Sequence, residues 1–287
     1  MKNPNQTSFS LLLIAAIATI LCISCCKEHR KDCGDLTSEE IAITQNIQGI
    51  IIEGPWQVTV TQDSVENSAF LEYSIREQQR VTTQLLPNGY LHIKISSWGS
   101  THYNCEYRAT IRATTLETIE GSGATIIRTF GHFADLQKIT LSGASTVNGL
   151  SGDGTSANIK LSGASTLKSF TFEGYDIDAE LSGASNATFD NVTLDYCTVD
   201  CSGASKFKGS GYADKTSFKG SGASDLKTLS MESENLDIDL SGASIAEVKV
   251  NDAIKGRLSG ASTLKYKRGA DVSGVHTSGG SNLVVLD

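Results

Sequence analysis

The feature that most constrains this chain is a pentapeptide, LSGAS, that recurs at an almost fixed spacing. Its five identical copies begin at residues 141, 161, 181, 240 and 258. With imperfect copies included, the central glycine recurs every 18 to 20 residues, at Gly123, Gly143, Gly163, Gly183, Gly203, Gly222, Gly242, Gly260 and Gly279. Such a period predicts a solenoid, in which each repeat buries its apolar face against its neighbours.

The residues on both sides of the motif indicate β-strands. Before it, segments such as ITL at 139, IKL at 159 and IDL at 238 alternate with a period of two, as in a strand with one buried face. After it, a second apolar column runs through Ile127, Val147, Leu167, Ala187, Phe207, Leu226, Ala246, Leu264 and Leu283. No repeat contains a helical spacing long enough for a helix. The sequence therefore predicts an all-β fold, a parallel β-helix with about 20 residues per coil and coils about 4.8 Å apart.

Each position of the motif has a predicted structural role. Glycine permits the sharp turn that a small coil needs, and the following alanine, as in Ala144, fits a corner with room for one methyl group. The two serines should stack on their counterparts in adjacent coils, with each hydroxyl bonded to the next. The predicted turn and ladder residues are Ser142, Gly143, Ala144, Ser145, Ser162, Gly163, Ser182, Gly183, Ser202, Gly203, Ser221, Gly222, Ser241, Gly242, Ser259 and Gly260.

Two columns of charged residues flank the motif. The column after it contains a possible basic binding stripe for an acidic polysaccharide, made of Arg128, Lys168, Lys208, Lys227 and Lys265. A solvated outer face explains these side chains equally simply, and we favour it. The column before the motif reads Glu120, Thr140, Lys160, Glu180, Asp200, Lys219, Asp239, Arg257 and His276. Its alternating signs favour a surface charge ladder over a catalytic carboxylate pair.

Residues 36–118 lack the motif but alternate strongly, and they predict five to seven strands. The PNG sequence at 87–89 lies between two alternating runs and predicts a hairpin turn. Because the open end of a solenoid exposes unpaired strand edges, this part should form the first turns of the solenoid or a β-cap over its end. The repeats then occupy residues 119–287.

The N-terminus has the character of a targeting segment. Lys2 precedes an apolar run, Leu11 to Ile23, that is too short to span a bilayer, and the sequence LCISCC follows. This pattern resembles a lipoprotein signal, which predicts a signal peptide at 1–24, acylation of Cys25 (alternatively Cys26) and a tether at 25–35. An ordinary secretory peptide is the alternative. Acyl chains would hold the protein on a membrane, and we expect export and anchoring at the outer membrane of a Gram-negative bacterium.

The other cysteines and the net charge exclude several kinds of partner and site. Cys33, Cys105, Cys197 and Cys201 show no spacing typical of zinc, and their disulfide state is open. Cys197 and Cys201 share a strand face but lie too far apart to bond to each other, so we interpret them as core residues. A formal charge of −8 argues against nucleic acid as a partner. No metal site and no cofactor is predicted.

The chain resembles the bacterial family called putative auto-transporter adhesin, head GIN domain. The likeness covers roughly residues 46 to 280 and is carried by IQGIIIEGPWQVTVTQDS, NGYLHIKI, the junction LETIEGSGAT and the LSGAS units, in the family's order. The resemblance implies a right-handed β-helix and an exported, often lipid-anchored protein. It supplies no catalytic residues to transfer. Since no membrane β-barrel pattern precedes Asp287, we expect any surface display to be that of a lipoprotein.

Three functions remain open at this point. The first is a non-enzymatic envelope protein that binds a glycan or an envelope or host protein, with specificity in the variable residues between motifs. The second is a polysaccharide lyase or hydrolase. Such an enzyme needs acidic or basic groups that converge from adjacent coils. The dense carboxylates of this chain, at 152–154, 174–178 and 231–239, are predicted to lie in loops at different coil positions, and the five histidines are scattered. The third is a structural role in assembly, and the oligomeric state is open. We favour the first, with no catalytic residues.

Overall fold

The computed structural model describes residues 33–96 and 105–287, and this part of the chain is almost entirely β-strand. The predictions for residues 1–32, among them the acylation of Cys25 or Cys26, lie outside the described residues. Before the repeats, a single-turn 3₁₀ helix, Ile75–Glu77, interrupts seven strands. These are β1 (Leu36–Ile41), β2 (Gly49–Gly54), β3 (Gln57–Gln62), β4 (Ser68–Ser74), β5 (Val81–Leu85), β6 (Tyr90–Ile95) and β7 (Tyr107–Ala113).

Thirteen further strands of the described chain form the repeats. They are β8 (Thr118–Gly123), β9 (Ile126–Phe130), β10 (Lys138–Leu141), β11 (Thr146–Asn148), β12 (Ser151–Leu161), β13 (Thr166–Leu181), β14 (Asn186–Cys201), β15 (Lys206–Gly220), β16 (Asp225–Leu240), β17 (Ile245–Leu258), β18 (Thr263–Lys267), β19 (Asp271–Thr277) and β20 (Asn282–Leu286). Each pairs in parallel with the strand one repeat away, so that Leu141 lies beside Leu161 and Leu161 beside Leu181. The predicted β-solenoid is confirmed.

The solenoid begins before the first recognisable motif. Strands β2 and β3 pair in parallel with β8 and β9, and Gly54 lies beside Gly123 as the glycine of the turn between them. This coil carries Gly54-Pro55-Trp56 where later coils carry Gly-Ala-Ser, which explains why the repeat is invisible there in the sequence.

A cap of mixed strand directions covers this first coil. Strand β6 pairs with β2 and antiparallel with β5, while β7 pairs with β3 and antiparallel with β4, which in turn pairs with β1. The β5–β6 hairpin turns at Gly89, with a φ of 78°, as PNG predicts. The N-terminal part therefore supplies both a first coil and a cap. A disulfide between Cys33 and Cys105 ties the chain preceding β1 to the start of β7.

The interior of the solenoid is filled by stacked apolar side chains. The column after the motif is buried from Ile127 to Leu264 and only partly buried at Leu283. Phenylalanine rings pack edge to face through the middle coils, with 5.1 Å between the ring centroids of Phe170 and Phe189 and 4.9 Å between those of Phe189 and Phe207. Cys197 and Cys201 are buried and free, which confirms them as core residues. The packing leaves the outer faces as the place for ligands.

The long strands bend where the coil turns a corner. Ser169 in β13 and Asn191 in β14 have φ values of 54° and 52°, and the register between these strands shifts there. Side chains before and after such a bulge point to different outer faces. Within the described residues, no helix is long and apolar enough to cross a membrane.

Candidate functional site

The LSGAS motif is a structural turn, as predicted, but the hydroxyl ladder is wrong in its bonding. Gly143, Gly163 and Gly183 all have φ near 70°, and a Cβ on Gly183 would lie 2.5 Å from the carbonyl oxygen of Gly163. The buried hydroxyl of Ser185 has two backbone acceptors within reach, the carbonyl oxygen of Leu161 in the preceding coil, at 3.1 Å, and that of Ser182 in its own coil. Ser165, Ser205 and Ser262 repeat the bond to the preceding coil.

A backbone acceptor replaces the expected hydroxyl for a simple reason. A carbonyl oxygen has two lone pairs. That of Leu161 accepts the amide of Ser182 at 2.9 Å, and its second lone pair faces the hydroxyls of both motif serines, Ser182 at 3.3 Å and Ser185 at 3.1 Å. Among the motif serines of the described chain, one pair in adjacent coils bonds hydroxyl to hydroxyl, Ser224 to Ser244 at 3.1 Å.

The predicted charge columns do stack in register. In the column before the motif, Lys160 lies beside Glu180 and forms an ion pair of 3.3 Å with it. In the column of the predicted binding stripe, Asn148, Thr188 and Glu247 interrupt the cations. Lys227 pairs with Asp225 at 3.0 Å and Lys265 with Glu247 at 2.9 Å. Lys227 stays exposed in its ion pair, and Arg128, Lys168 and Lys208 are exposed cations of the stripe that form no ion pair with another described residue.

The three carboxylate-rich segments lie in strands β12, β13 and β16, so their assignment to loops was wrong. Their coil positions are not all different either, because Asp178 shares a column with Asp237 through Thr198 and Ser217. The error arose because alternating acidic residues on an exposed strand face resemble loop composition.

The fold places His132 between a serine and a carboxylate. The sequence did not predict this cluster, because its histidines are scattered along the chain. The ring nitrogens of His132 lie 3.0 Å from the Ser151 hydroxyl and 3.0 Å from the Asp153 carboxylate, and the hydrogen bond to His132 lowers the pKa of Asp153. The imidazole is 54% exposed. The nearby amides of Phe133 and Asp153 already donate to carbonyl oxygens, so they offer no oxyanion site. The cluster is suited to holding the loop before β10 against β12.

A groove on the broad outer face is the strongest candidate for a binding site. It consists of two adjoining cavities of about 520 and 450 Å³ that share Asp237 and Lys255. We call it the axial groove, because its lining comes from one strand after another along the stack: β14, β15, β16, β17 and β19. Its outward-facing polar residues and tyrosine are Tyr196, Thr198, Lys215, Ser217, Asn235, Asp237, Asp239, Lys255, Arg257 and His276.

The groove residues form columns with one member per coil. Tyr196, Lys215 and Asn235 lie side by side in β14, β15 and β16. Two residues further along the same strands, a second outward-facing column contains Thr198, Ser217 and Asp237, followed by Lys255 in β17. Buried Thr216 and Leu236 form the floor. Hydroxyl, amide and charged groups therefore converge along one line.

Exposed aromatic rings stand at the β14 end of the groove. Tyr175 and Tyr196 are 51% and 37% exposed, and their ring centroids lie 5.2 Å apart. The hydrogen bond between them is the main cause that raises the pKa of Tyr175, with the nearby carboxylates of Asp195 and Asp176 adding to it. The ammonium of Lys215 lies 5.4 Å from the Tyr196 ring centroid. Tyrosines left this exposed on a folded surface are typical of recognition sites.

Sequence reasoning placed specificity in the variable residues between motifs but did not find the groove. The signal was present as non-repeating polar residues at fixed offsets from the motif, such as Thr198, Ser217 and Asp237. Within the described ranges, no group of three or more His, Cys, Asp or Glu side chains is placed to hold a metal ion.

Comparison with known proteins identifies the family. A model of the family described as putative auto-transporter adhesin, head GIN domain, matches residues 46–270. The chain belongs to this family. Membership of an adhesin family agrees with the expected export of a head GIN domain protein. No curated protein matches the chain.

Solved structures share the fold of this head GIN domain protein at low sequence identity. A protein of Parabacteroides merdae ATCC 43184 described as a putative adhesin has 14% identity and a TM-score of 0.65, covering 88% of this chain and 97% of its own. A protein of Parabacteroides distasonis ATCC 8503 described as a putative lipid binding protein has 14% identity and a TM-score of 0.63, with 88% and 98% covered. A second protein of that organism, described as a putative adhesin, has 17% identity and a TM-score of 0.59, with the same coverage. At these identities the likeness shows the fold alone.

Proposed function

We propose that this protein is an exported, lipid-anchored, non-enzymatic adhesin that binds a glycan in the axial groove. The observation that carries the proposal is the groove itself, where the exposed ring of Tyr196 stands beside hydroxyl and amide groups on successive coils. An aromatic ring packs against the C–H face of a sugar, and Ser217 and Asn235 can donate to or accept from its hydroxyls.

The geometry favours binding over chemistry. In the groove, Asp237 lies 3.7 Å from Lys255 in an exposed ion pair, and the second carboxylate, Asp239, lies on the same face of the same strand and not across the groove from it. A glycosidase needs two carboxylates of different protonation state on opposite sides of one bond. Alternating single charges along an open groove instead suit many weak contacts with a hydroxyl-rich chain.

Binding is tested with the purified full-length protein on an array of bacterial and host glycans, followed by calorimetry on the best ligand. Tyr196→Ala should weaken binding at least tenfold, since a tyrosine that packs directly against a ligand typically contributes over about 1.4 kcal/mol. The matched control is Lys168→Glu combined with Lys208→Glu, which reverses the basic stripe on another face. Loss of binding in the control with retention in Tyr196→Ala would move the site to the stripe.

Anchoring is tested separately in cells, by incorporation of a labelled fatty acid and by protease treatment of intact cells. The proposal expects labelling that Cys25→Ala abolishes, with Cys26→Ala as the control that decides between the two positions. Accessibility to protease would place the adhesin on the outer face of the membrane. Absence of label from the wild-type protein would contradict the anchor.

A further inference from the structure

The axial groove has a repeat of its own, set by the coils that build it. Neighbouring strands in a sheet are about 4.8 Å apart, so a column such as Thr198, Ser217 and Asp237 offers a polar group at each such step. An extended polysaccharide of equatorially linked pyranoses also advances by about one strand spacing per sugar. A linear glycan parallel to the stack would therefore present each sugar to an equivalent position on the next coil.

The groove carries charges of both signs, which bears on the kind of glycan. Lys215, Lys255 and Arg257 are offset by Asp237 and Asp239 within the same lining. Beside it, the exposed Asp195 and the half-buried Asp214 form a column that adds further negative charge. A polyanion would meet these carboxylates along its whole length, whereas hydroxyl groups can donate to carboxylates and accept from lysines.

Both ends of the groove are open. In the column of Asp237 and Lys255 the following position is Gly274, which has no side chain to block the path. At the other end the half-exposed ring of Tyr175 extends the aromatic surface of Tyr196 toward β13. An open groove accepts an internal segment of a long chain, while a pocket selects a chain end.

We infer that the ligand is an uncharged linear polysaccharide bound parallel to the solenoid axis, with successive sugars on the successive coils β14, β15, β16, β17 and β19. This rests on the proposed function, because it specifies the ligand class and pose at the same site. It differs from the acidic polysaccharide considered for the basic stripe.

The test is a length series measured by calorimetry with the full-length protein. Cello- and xylo-oligosaccharides of two to eight sugars serve as uncharged probes, and oligogalacturonides of equal length as charged ones. Affinity for the preferred neutral series should rise at least tenfold from two sugars to about five, one per strand spacing of the groove, and then level off. Blocking the reducing end should not change it.

A variant in the middle of the groove provides the second readout. Asn235→Tyr, in β16, should obstruct the path and remove the advantage of long over short chains, while a disaccharide on β14 and β15 beside Tyr196 still binds. A matched control is Thr188→Tyr on the basic-stripe face, which should leave the length series unchanged.

The outcomes separate this inference from the proposed function. Neutral chains whose affinity does not grow with length, or oligogalacturonides that bind more tightly, would overturn the axial pose or the neutral class while leaving glycan binding intact. Failure of every glycan, on the array and in the series, would overturn both.

Discussion

At the scale of single residues, the LSGAS motif is explained by backbone geometry. The glycine occupies a left-handed conformation in every copy and packs directly on the glycine of the previous coil, as Gly183 does on Gly163. The second serine lies buried and gives its hydroxyl to a backbone carbonyl oxygen. Identity between copies follows because each copy is the surface on which the next one packs.

Gly183→Ala should destabilise the solenoid by about 2 kcal/mol or more. Left-handed backbone costs a residue with a Cβ roughly 1–2 kcal/mol, and here the methyl group would also meet the carbonyl oxygen of Gly163. Urea unfolding followed by circular dichroism measures the change. Gly280→Ala is the control, since its added methyl group would lie an ordinary 3.6 Å from the nearest atom. Equal stability of both variants would contradict the role assigned to the glycine.

The two core cysteines should be unreactive in the folded protein. Burial raises the pKa of both Cys197 and Cys201 from 9.0 to about 12, so the reactive thiolate is scarce at mildly alkaline pH. Because the pKa of both thiols is higher in the folded than in the unfolded chain, the free energy of unfolding keeps their full contribution below pH 9. That contribution is lost as the pH rises toward 12. Iodoacetamide labelling read by peptide mass spectrometry should modify them only after unfolding in guanidinium chloride. Labelling of the native protein would show that the coils open.

At the scale of elements, the cap is the part whose structure differs most from the repeats. Its strands alternate in direction, and buried polar contacts help to hold it, among them the ion pair of 2.6 Å between Arg80 and the buried Glu77. Burial, followed by the charge of Glu77, raises the pKa of Tyr107 to about 12. The Cys33–Cys105 disulfide closes the cap over a sequence separation of 72 residues.

Replacing both cysteines, as Cys33→Ser with Cys105→Ser, should loosen the cap selectively. In the chain-entropy model, a disulfide that closes a loop of this length lowers the entropy of the unfolded chain and stabilises the folded state by about 4 kcal/mol. Amide hydrogen exchange should therefore quicken in β1, β4 and β7 and stay slow in β14 to β16. Dithiothreitol should reproduce the effect in the wild type and add nothing in the variant. Unchanged exchange in the cap would show that strand pairing alone holds it.

At the scale of the whole molecule, the fold is a one-dimensional stack in which each coil contacts mainly its neighbours. Strand β14 pairs with β13 and β15, and the same rule holds down the array. Local damage in such a stack should spread a short distance only. Because each coil pairs in register with the next, equivalent residues line up along the outer face, and the axial groove extends over several coils.

Phe189→Ala should weaken the middle coils without unfolding the ends. The substitution leaves a cavity between Phe170 and Phe207, and phenylalanine truncations in cores typically cost 3–5 kcal/mol. Hydrogen exchange should quicken most in β13, β14 and β15 and least in the cap and in β18 to β20. A uniform increase across all strands would show that the stack unfolds as one cooperative unit.

Much of the architecture was predictable because stacking imposes a strict period. The glycine spacing, the two apolar columns and the PNG turn all lie where the sequence places them, since each depends on neighbours a fixed number of residues away. The carboxylate segments and the histidines were misjudged for the opposite reason. Whether Asp178 and Asp237 share a face, or His132 meets Asp153, depends on bulges and corner positions that composition does not encode.

The sequence by itself determined the solenoid, its coil length and its buried columns, because a repeat of 18 to 20 residues has few ways to bury its apolar side chains. Only the tertiary structure decided the disulfide of the cap, the carbonyl acceptors of the serines and the axial groove. Each of these joins side chains on different coils or cap strands. Their meeting depends on how much the chain rotates at each corner, and that rotation is fixed by packing.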